Sequence, residues 1–255
     1  MSIVLTPLRG VPLIKAGDDL LAILLASLED SGISLNSDDI LVLAQKIISK
    51  AEGRVVDLAT ITPSARARDL AAQVQKDARL VELILQESAS VLRARDGIII
   101  CRHRLGFVCA NAGIDHSNVA GEATSEGDFV ALLPEDPDRS SGRLREGVEA
   151  RTGKRIGVMI IDSHGRPWRM GTVGVCIGLS GIPALIDERG WVDLFGYKLR
   201  STVVGVGDEL AAAASLAMGQ AAEATPAVHV RGFPYELAAG RLSQLIRPLK
   251  DDLFP

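Results

Sequence analysis

Between Asp18 and Ser31 the side chains of Leu20, Leu21, Leu24, Leu25 and Leu28 recur at the spacing of one helix face, with Asp18 placed as an N-cap and Gly32 as a stop. The following stretch "DILVLAQ" has the apolar, β-branched character of a strand. Thr62-Pro63 is expected to open a second helix, because proline fits the first helical position, and Leu80 to Ser88 continues the helical layer. "DGIIICRHRLGFVCANAG" reads as two strands joined at "HRLG" around Gly106. The Pro-, Asp-, Ser- and Gly-rich stretch from Glu135 to Gly142 reads as a surface connection or subdomain boundary, followed by a helix through Ala150.

In "RIGVMIIDSHGR" a wholly apolar run from Ile156 to Ile161 stops at Asp162, as if a buried strand delivers a carboxylate to a loop. "TVGVCIGLSG" is a glycine-punctuated strand or pair of strands, Asp208 to Met218 an alanine-rich helix capped by Asp208 or Gly207, and "PAVHVRG" a strand. Tyr235 to Ile246 reads as a final helix. Helix and strand periods mix without a strict βαβ rhythm or a fixed repeat, so the expected class is a mixed α/β or α+β fold.

Composition narrows the function classes. A chain of 255 residues with 47% hydrophobic and 24% charged residues can bury a substantial core. A net charge of -4 gives no electrostatic footprint for nucleic acid, so an anionic ligand has to be met locally. The opening residues lack the basic and apolar regions of a signal peptide and no run reaches membrane-span length, which points to a cytoplasmic protein without a membrane partner. Cys101, Cys109 and Cys176 sit in apolar strand-like segments with no metal-type spacing and read as buried thiols.

Two polar clusters carry candidate chemistry. The stretch "NAGIDHSNV" crowds Asn111, Asp115, His116, Ser117 and Asn118 together, and Asp162-Ser163-His164 forms the second cluster. If Asp115 and Asp162 converge, their carboxylates with the Ser163 hydroxyl suit a hard cation such as Mg²⁺ or Mn²⁺. Taken singly, each Asp after a strand reads first as a turn cap. Lys46 and Lys50 fall on one face if their segment is helical, either to cradle phosphate or as a solvated face in which Glu52 is an ion-pair partner. Arg166, Trp168 and Arg169 suit an anionic, planar ligand or a solvated surface turn, and Gly219 is a helix C-cap or a point where backbone meets a nucleotide. There is no "GxSxG" elbow and no "GxxxxGK" loop, so charge stabilisation is favoured over nucleophilic catalysis.

In this order, "GVPLIKAGDDL", "QKIISKAEGR", "NAGIDHSNV", "GKRIGVMIIDSHGRPWRMGTVGVCIGLSG" and "PAVHVRG" resemble the coenzyme F-420-0:γ-glutamyl ligase family over nearly the whole chain. The resemblance implies one catalytic unit over residues 1–255, with two interleaved subdomains, mixed sheets and an intertwined homodimer. The implied reaction uses GTP to join L-glutamate to the deazaflavin precursor F-420-0. One or two divalent cations, Mg²⁺ or Mn²⁺, are implied, with K⁺ a further candidate. Carried over by motif, Asp115, Asp162, Ser163 and Gln220 resemble metal ligands, with Asp115 and Asp162 catalytic. Val11, Pro12, Leu13, Ile14, Gln45, Lys46, Lys50, Asn118, Met218, Gly219 and Gln220 resemble nucleotide contacts. Ser163 stands where many relatives have threonine, Gln45-Lys46 where they often have Ser-Thr, and Gln220 where some have glutamate. His116 and His164 are candidates for the general base. A ligase for a different acid and a non-catalytic deazaflavin- or nucleotide-binding protein are the competing readings.

Overall fold

The computed structural model describes residues 2–119 and 128–252. In chain order it runs through β1 (Val4–Pro7), α1 (Leu20–Asp30), β2 (Ile40–Ala44), α2 (Gln45–Ala51), β3 (Val55–Asp57), α3 (Ala65–Val74) and α4 (Ala78–Glu87). β4 (Ser88–Arg95), β5 (Ile98–His103), β6 (Val108–Ala110), β7 (Phe129–Ala131), α5 (Pro137–Thr152), β8 (Gly157–Gly165) and β9 (Thr172–Ser180) follow. The chain continues with β10 (Ile186–Asp187), β11 (Val203–Val204), α6 (Val206–Met218), β12 (Ala227–Arg231) and the single turn α7 (Leu242–Leu245). The fold is α+β.

A five-stranded sheet in the order β1-β12-β2-β8-β9 forms the centre, antiparallel throughout except for the parallel pair β2 and β8. Its inner strands are apolar on both faces because both are covered. Leu41, Leu43, Val158 and Ile160 enter a core with α1 and α5, while Ile40, Val42, Met159 and Ile161 enter one with α6. Full burial of one such side chain contributes about 1.5–3 kcal/mol. A third core joins α3 and α4 to the β4-β5-β6 sheet, with Val130 and Leu132 from β7 and its exit.

The glycines of β9 have a packing reason. A Cβ on Gly174 would lie 2.6 Å from the Ala211 carbonyl of α6, and one on Gly178 would meet Pro137 of α5. Between them the register slips by one residue, so Ile177 and Gly178 both turn toward the α5 side. Asp208 accepts the Cys176 amide at 3.0 Å beside this bulge.

Several element boundaries differ from expectation for local reasons. Asp19, not Asp18, caps α1 by accepting the Ala22 amide at 3.1 Å, while Asp18 accepts from Lys15 and closes the preceding loop. Ser64, beyond Pro63, caps α3. Residues 137–142, expected as a connection, open α5, with Asp136 as cap and Pro137 in the first turn. α6 begins at Val206 after Gly205, because the Asp208 side chain is engaged on β9. The final helix shrinks to Leu242–Leu245. β8 carries Asp162 within its paired length and ends at Gly165, so that carboxylate stands on a strand and not on a loop. Among the described residues no helix is long and apolar enough to cross a membrane.

Candidate active site

β2 and β8 run parallel with Ala44 opposite Ile161, so β2 ends one residue short of the level of Asp162 while β8 runs on to Gly165. The chain leaves β2 directly into α2, which brings Gln45 and Lys46 beside the level of Asp162. Crevices outside the carboxyl ends of parallel strands are where α/β sheets place ligands.

The second carboxylate comes from the third core. After β6 the chain turns through Asn111 and Ala112, both at positive φ, and the Asn111 carbonyl oxygen Oδ1 accepts the Ile99 amide at 3.1 Å. Asn111 therefore holds backbone. Asp115 is then fixed by two backbone hydrogen bonds with Ala131, at 3.0 and 2.9 Å. Its Oδ2 accepts from Gln45 Nε2 at 2.9 Å and lies 3.3 Å from Lys46 Nζ, which also donates to Ser117 Oγ at 3.1 Å. Ser49 donates to Gln45 Oε1 at 2.8 Å and so turns the amide nitrogen toward Asp115.

Around Asp162 the partners are different. His164 Nε2 lies 3.0 Å from Asp162 Oδ2, and the buried His164 ring packs against Phe107 with 5.2 Å between centroids. Ser163 Oγ donates to Gln220 Oε1 at 2.8 Å, and Gln220 Nε2 donates to Ser215 Oγ at 3.0 Å. Asn118 Nδ2 donates to the Ala221 carbonyl at 3.1 Å, tying the first polar cluster to the loop after α6.

The electrostatics show a pair that repels. Burial and the charge of Asp162 raise the Asp115 carboxyl above its usual range, and Lys46 and Gln45 only partly offset this. Burial and the neighbouring Lys46 charge lower the Lys50 ammonium. Glu52 accepts from Ser140 and makes no ion pair with either lysine among the described residues. Lys46 thus stands beside an under-neutralised carboxylate pair, with the Lys50 ammonium near it on the same helix.

The remaining candidates divide. Val11 and Ile14 pack into the core beside α1, Leu13 is exposed, and the loop is tied to the end of α2 by the Gly17 amide on the Ala51 carbonyl at 2.9 Å. Met218 is buried beneath the sheet, and its carbonyl accepts from Thr225 Oγ1 at 2.9 Å. Gly219 caps α6 at φ 75°, with the Glu223 side chain in the space a Cβ would take. His116 faces Asp128 at 3.6 Å. Ser49 and Ser215 give no signal of a site role in the sequence; Ser49 lies four residues after Gln45, the one spacing that could reveal it.

Among the described residues no group of three or more His, Cys, Asp or Glu side chains could hold a metal. The oxygen groups here are instead the two carboxylates Asp115 and Asp162, which feel each other's charge, and the Ser163 hydroxyl and Gln220 amide oxygen, which hydrogen-bond to each other one strand position on. Their all-oxygen chemistry and the mutual repulsion of Asp115 and Asp162 fit a hard divalent cation.

A site of paired carboxylates with a lysine beside the end of β2 suits an enzyme that handles phosphate-bearing substrates. The chain belongs to the F420-0:Gamma-glutamyl ligase family, which it matches over residues 10–232, and is an enzyme of the ligase class. It is 43% identical over 256 residues to the "Coenzyme F420:L-glutamate ligase" of Methanothermobacter thermautotrophicus, covering 100% of this chain and 99% of that relative. It is 46% identical over 233 residues to the protein of the same name from Methanopyrus kandleri, covering 90% and 88%. The Archaeoglobus fulgidus protein, also of that name, is 42% identical over 253 residues, covering 99% and 96%.

Proposed function

We propose that this ligase joins L-glutamate to the terminal carboxylate of F-420-0 at the expense of GTP, and extends the product with further γ-linked glutamates. The observation that carries the reading is the convergence of Asp115 and Asp162, from separate cores, beside Lys46, with Lys50 next to Lys46 on the same helix. Asp115, Asp162, Ser163 and Gln220 would hold one or two divalent cations, Mg²⁺ or Mn²⁺. Bound there, such a cation neutralises phosphate oxygens and relieves the repulsion between the carboxylates.

The chain's own groups then have separable tasks. Lys46 and Lys50 draw the polyphosphate of GTP to the mouth of α2, and Asn118 with the Ala221 carbonyl positions the nucleotide. His164 holds the Asp162 carboxyl in one orientation, and Gln45 does the same for Asp115. The γ-phosphoryl group passes to an oxygen of the acceptor carboxylate, giving an acyl phosphate and GDP. The glutamate amine attacks the acyl carbon, loses a proton and expels phosphate as the amide forms. Lys46 and Lys50 offset charge that develops on the phosphoryl oxygens.

The same reading includes a homodimer. Leu194 and Phe195, in the segment between β10 and β11, are 98% and 95% exposed, and Trp191 and Tyr197 flank them. Apolar exposure of this kind favours a covering copy.

Mass spectrometry of the protein incubated with F-420-0, L-glutamate, GTP and Mg²⁺ or Mn²⁺ tests the reading. Products heavier by whole glutamyl units are expected only with both nucleotide and metal. GTP consumption with some other acid while F-420-0 stays unchanged would move the assignment to a different acceptor.

A further inference from the structure

The hairpin that carries Asp162 does not end at the carboxylate. β8 and β9 stay paired to Gly165 opposite Thr172, and the chain turns back through Arg166–Gly171. At a strand rise of about 3.3 Å per residue, Arg166 lies about 13 Å along the ribbon from Asp162. The turn contains two arginines and no acid. Trp168 and Met170 are 89% and 95% exposed, and Trp168 holds φ at 60°, a conformation that bulky side chains seldom adopt.

Arg166 shows an unmet demand. Its Nη2 donates to the Met170 carbonyl at 3.4 Å across the turn, but its Nη1 is shut off from solvent and has no acceptor among the described residues. A shielded cationic donor left unpaired is costly, and an arriving anion relieves it. The Arg169 side chain also has no ion-pair partner among the described residues. The cations assigned to the nucleotide belong to α2, which follows β2, across β8 from this hairpin. That leaves the β9 side to the other large substrate.

We propose that the Arg166–Gly171 turn is the acceptor-binding arm. Trp168 offers its face to the planar heteroaromatic ring of the deazaflavin acceptor, and Arg166 and Arg169 take anionic oxygen from the segment joining ring to carboxylate. The reacting carboxylate then reaches back to Asp162. This assignment rests on the ligase reading and specifies where its acceptor lies.

Steady-state kinetics for all three substrates, with calorimetric F-420-0 binding, test it on Trp168→Ala, Trp168→Phe and Arg166→Ala. Trp168→Ala and Arg166→Ala should raise the KM for F-420-0 about tenfold and weaken its binding in parallel, with the KM for GTP within about twofold of wild type. Trp168→Phe, which keeps a ring, should recover most of the affinity. Unchanged F-420-0 binding in a wild-type background that elongates F-420-0 overturns the arm assignment alone. So does a uniform rise in all KM values with a fall in oligomer mass by light scattering, which would make the turn a subunit contact. A wild-type protein that neither binds nor elongates F-420-0 removes the ligase reading, and the arm with it.

Discussion

Glu87 and Asp115 are both carboxylates withdrawn from bulk water, and they meet opposite surroundings. Burial alone would raise Glu87, yet His103 and Arg104 beside it and the charge of Arg54 hold it at about 2. Arg54 and Arg104 approach its Oε2 at 3.0 and 2.7 Å, and His103 stands 3.6 Å away. Asp115 faces a second carboxylate and one lysine, so burial and Asp162 raise it. The Glu87 cluster is closed by groups the chain itself supplies and ties the end of α4 to the β5–β6 turn. The Asp115 site is left short of positive charge, the condition expected where a cation and a phosphate have to enter.

Substitution should separate the two regions. Asp115→Asn or Asp162→Asn is expected to lower turnover by about 10²–10³-fold or more while the melting temperature stays near or above that of the wild type, since a repulsion is removed. Initial rates with thermal unfolding check this, and near-normal activity in both variants would break the comparison. Glu87→Gln should do the reverse. It should cost about 3 kcal/mol in urea unfolding, because it removes the buried charge on which Arg54 and Arg104 converge, and spare turnover per folded molecule.

The pH dependence sharpens the contrast, since the signs oppose. Glu87 is depressed in the folded state, so its stabilisation is present above its unfolded value near 4.5 and is lost as pH falls toward about 2. The stability gap between wild type and Glu87→Gln should therefore close on acidification from pH 5. Asp115 is raised, so its contribution is fully present below its unfolded value and is lost as pH climbs through the folded one. Without metal, Asp115→Asn should gain on the wild type over that climb. The smallest effect is expected at Lys50→Ala, with the KM for GTP rising about three- to tenfold and unfolding free energy nearly unchanged.

Much of the scaffold was legible in the chain. The doubly apolar runs of β2, β8 and β12, the leucine face of α1 and the turn at Gly106 follow from period and turn chemistry alone. The stretch from Glu135 to Gly142 misled because Asp136 and Pro137 suit a loop and a helix start equally, and only the burial of Ser140 and Ser141 decides. Tyr235 to Ile246 had helix-forming residues but insufficient packing, and one turn survives. At the site, the residue types were legible and their meeting was not. Asp115 and Asp162 converge through the parallel pairing of β2 with β8 and the Asp115–Ala131 bridge, neither of which leaves a local trace. Glu87 drew no notice, since a glutamate at a helix end looks solvated until Arg54, His103 and Arg104 arrive from elsewhere.

The most direct measurement is equilibrium Mn²⁺ binding by calorimetry in the presence of GDP, on the wild type, on Glu87→Gln and on the Asp115→Asn, Asp162→Asn double variant. Wild type and Glu87→Gln should bind alike, and the double variant should lose about a hundredfold or more in affinity. Equal Mn²⁺ affinity in the double variant and the wild type would contradict the assignment of this carboxylate pair as the metal-binding centre of the ligase.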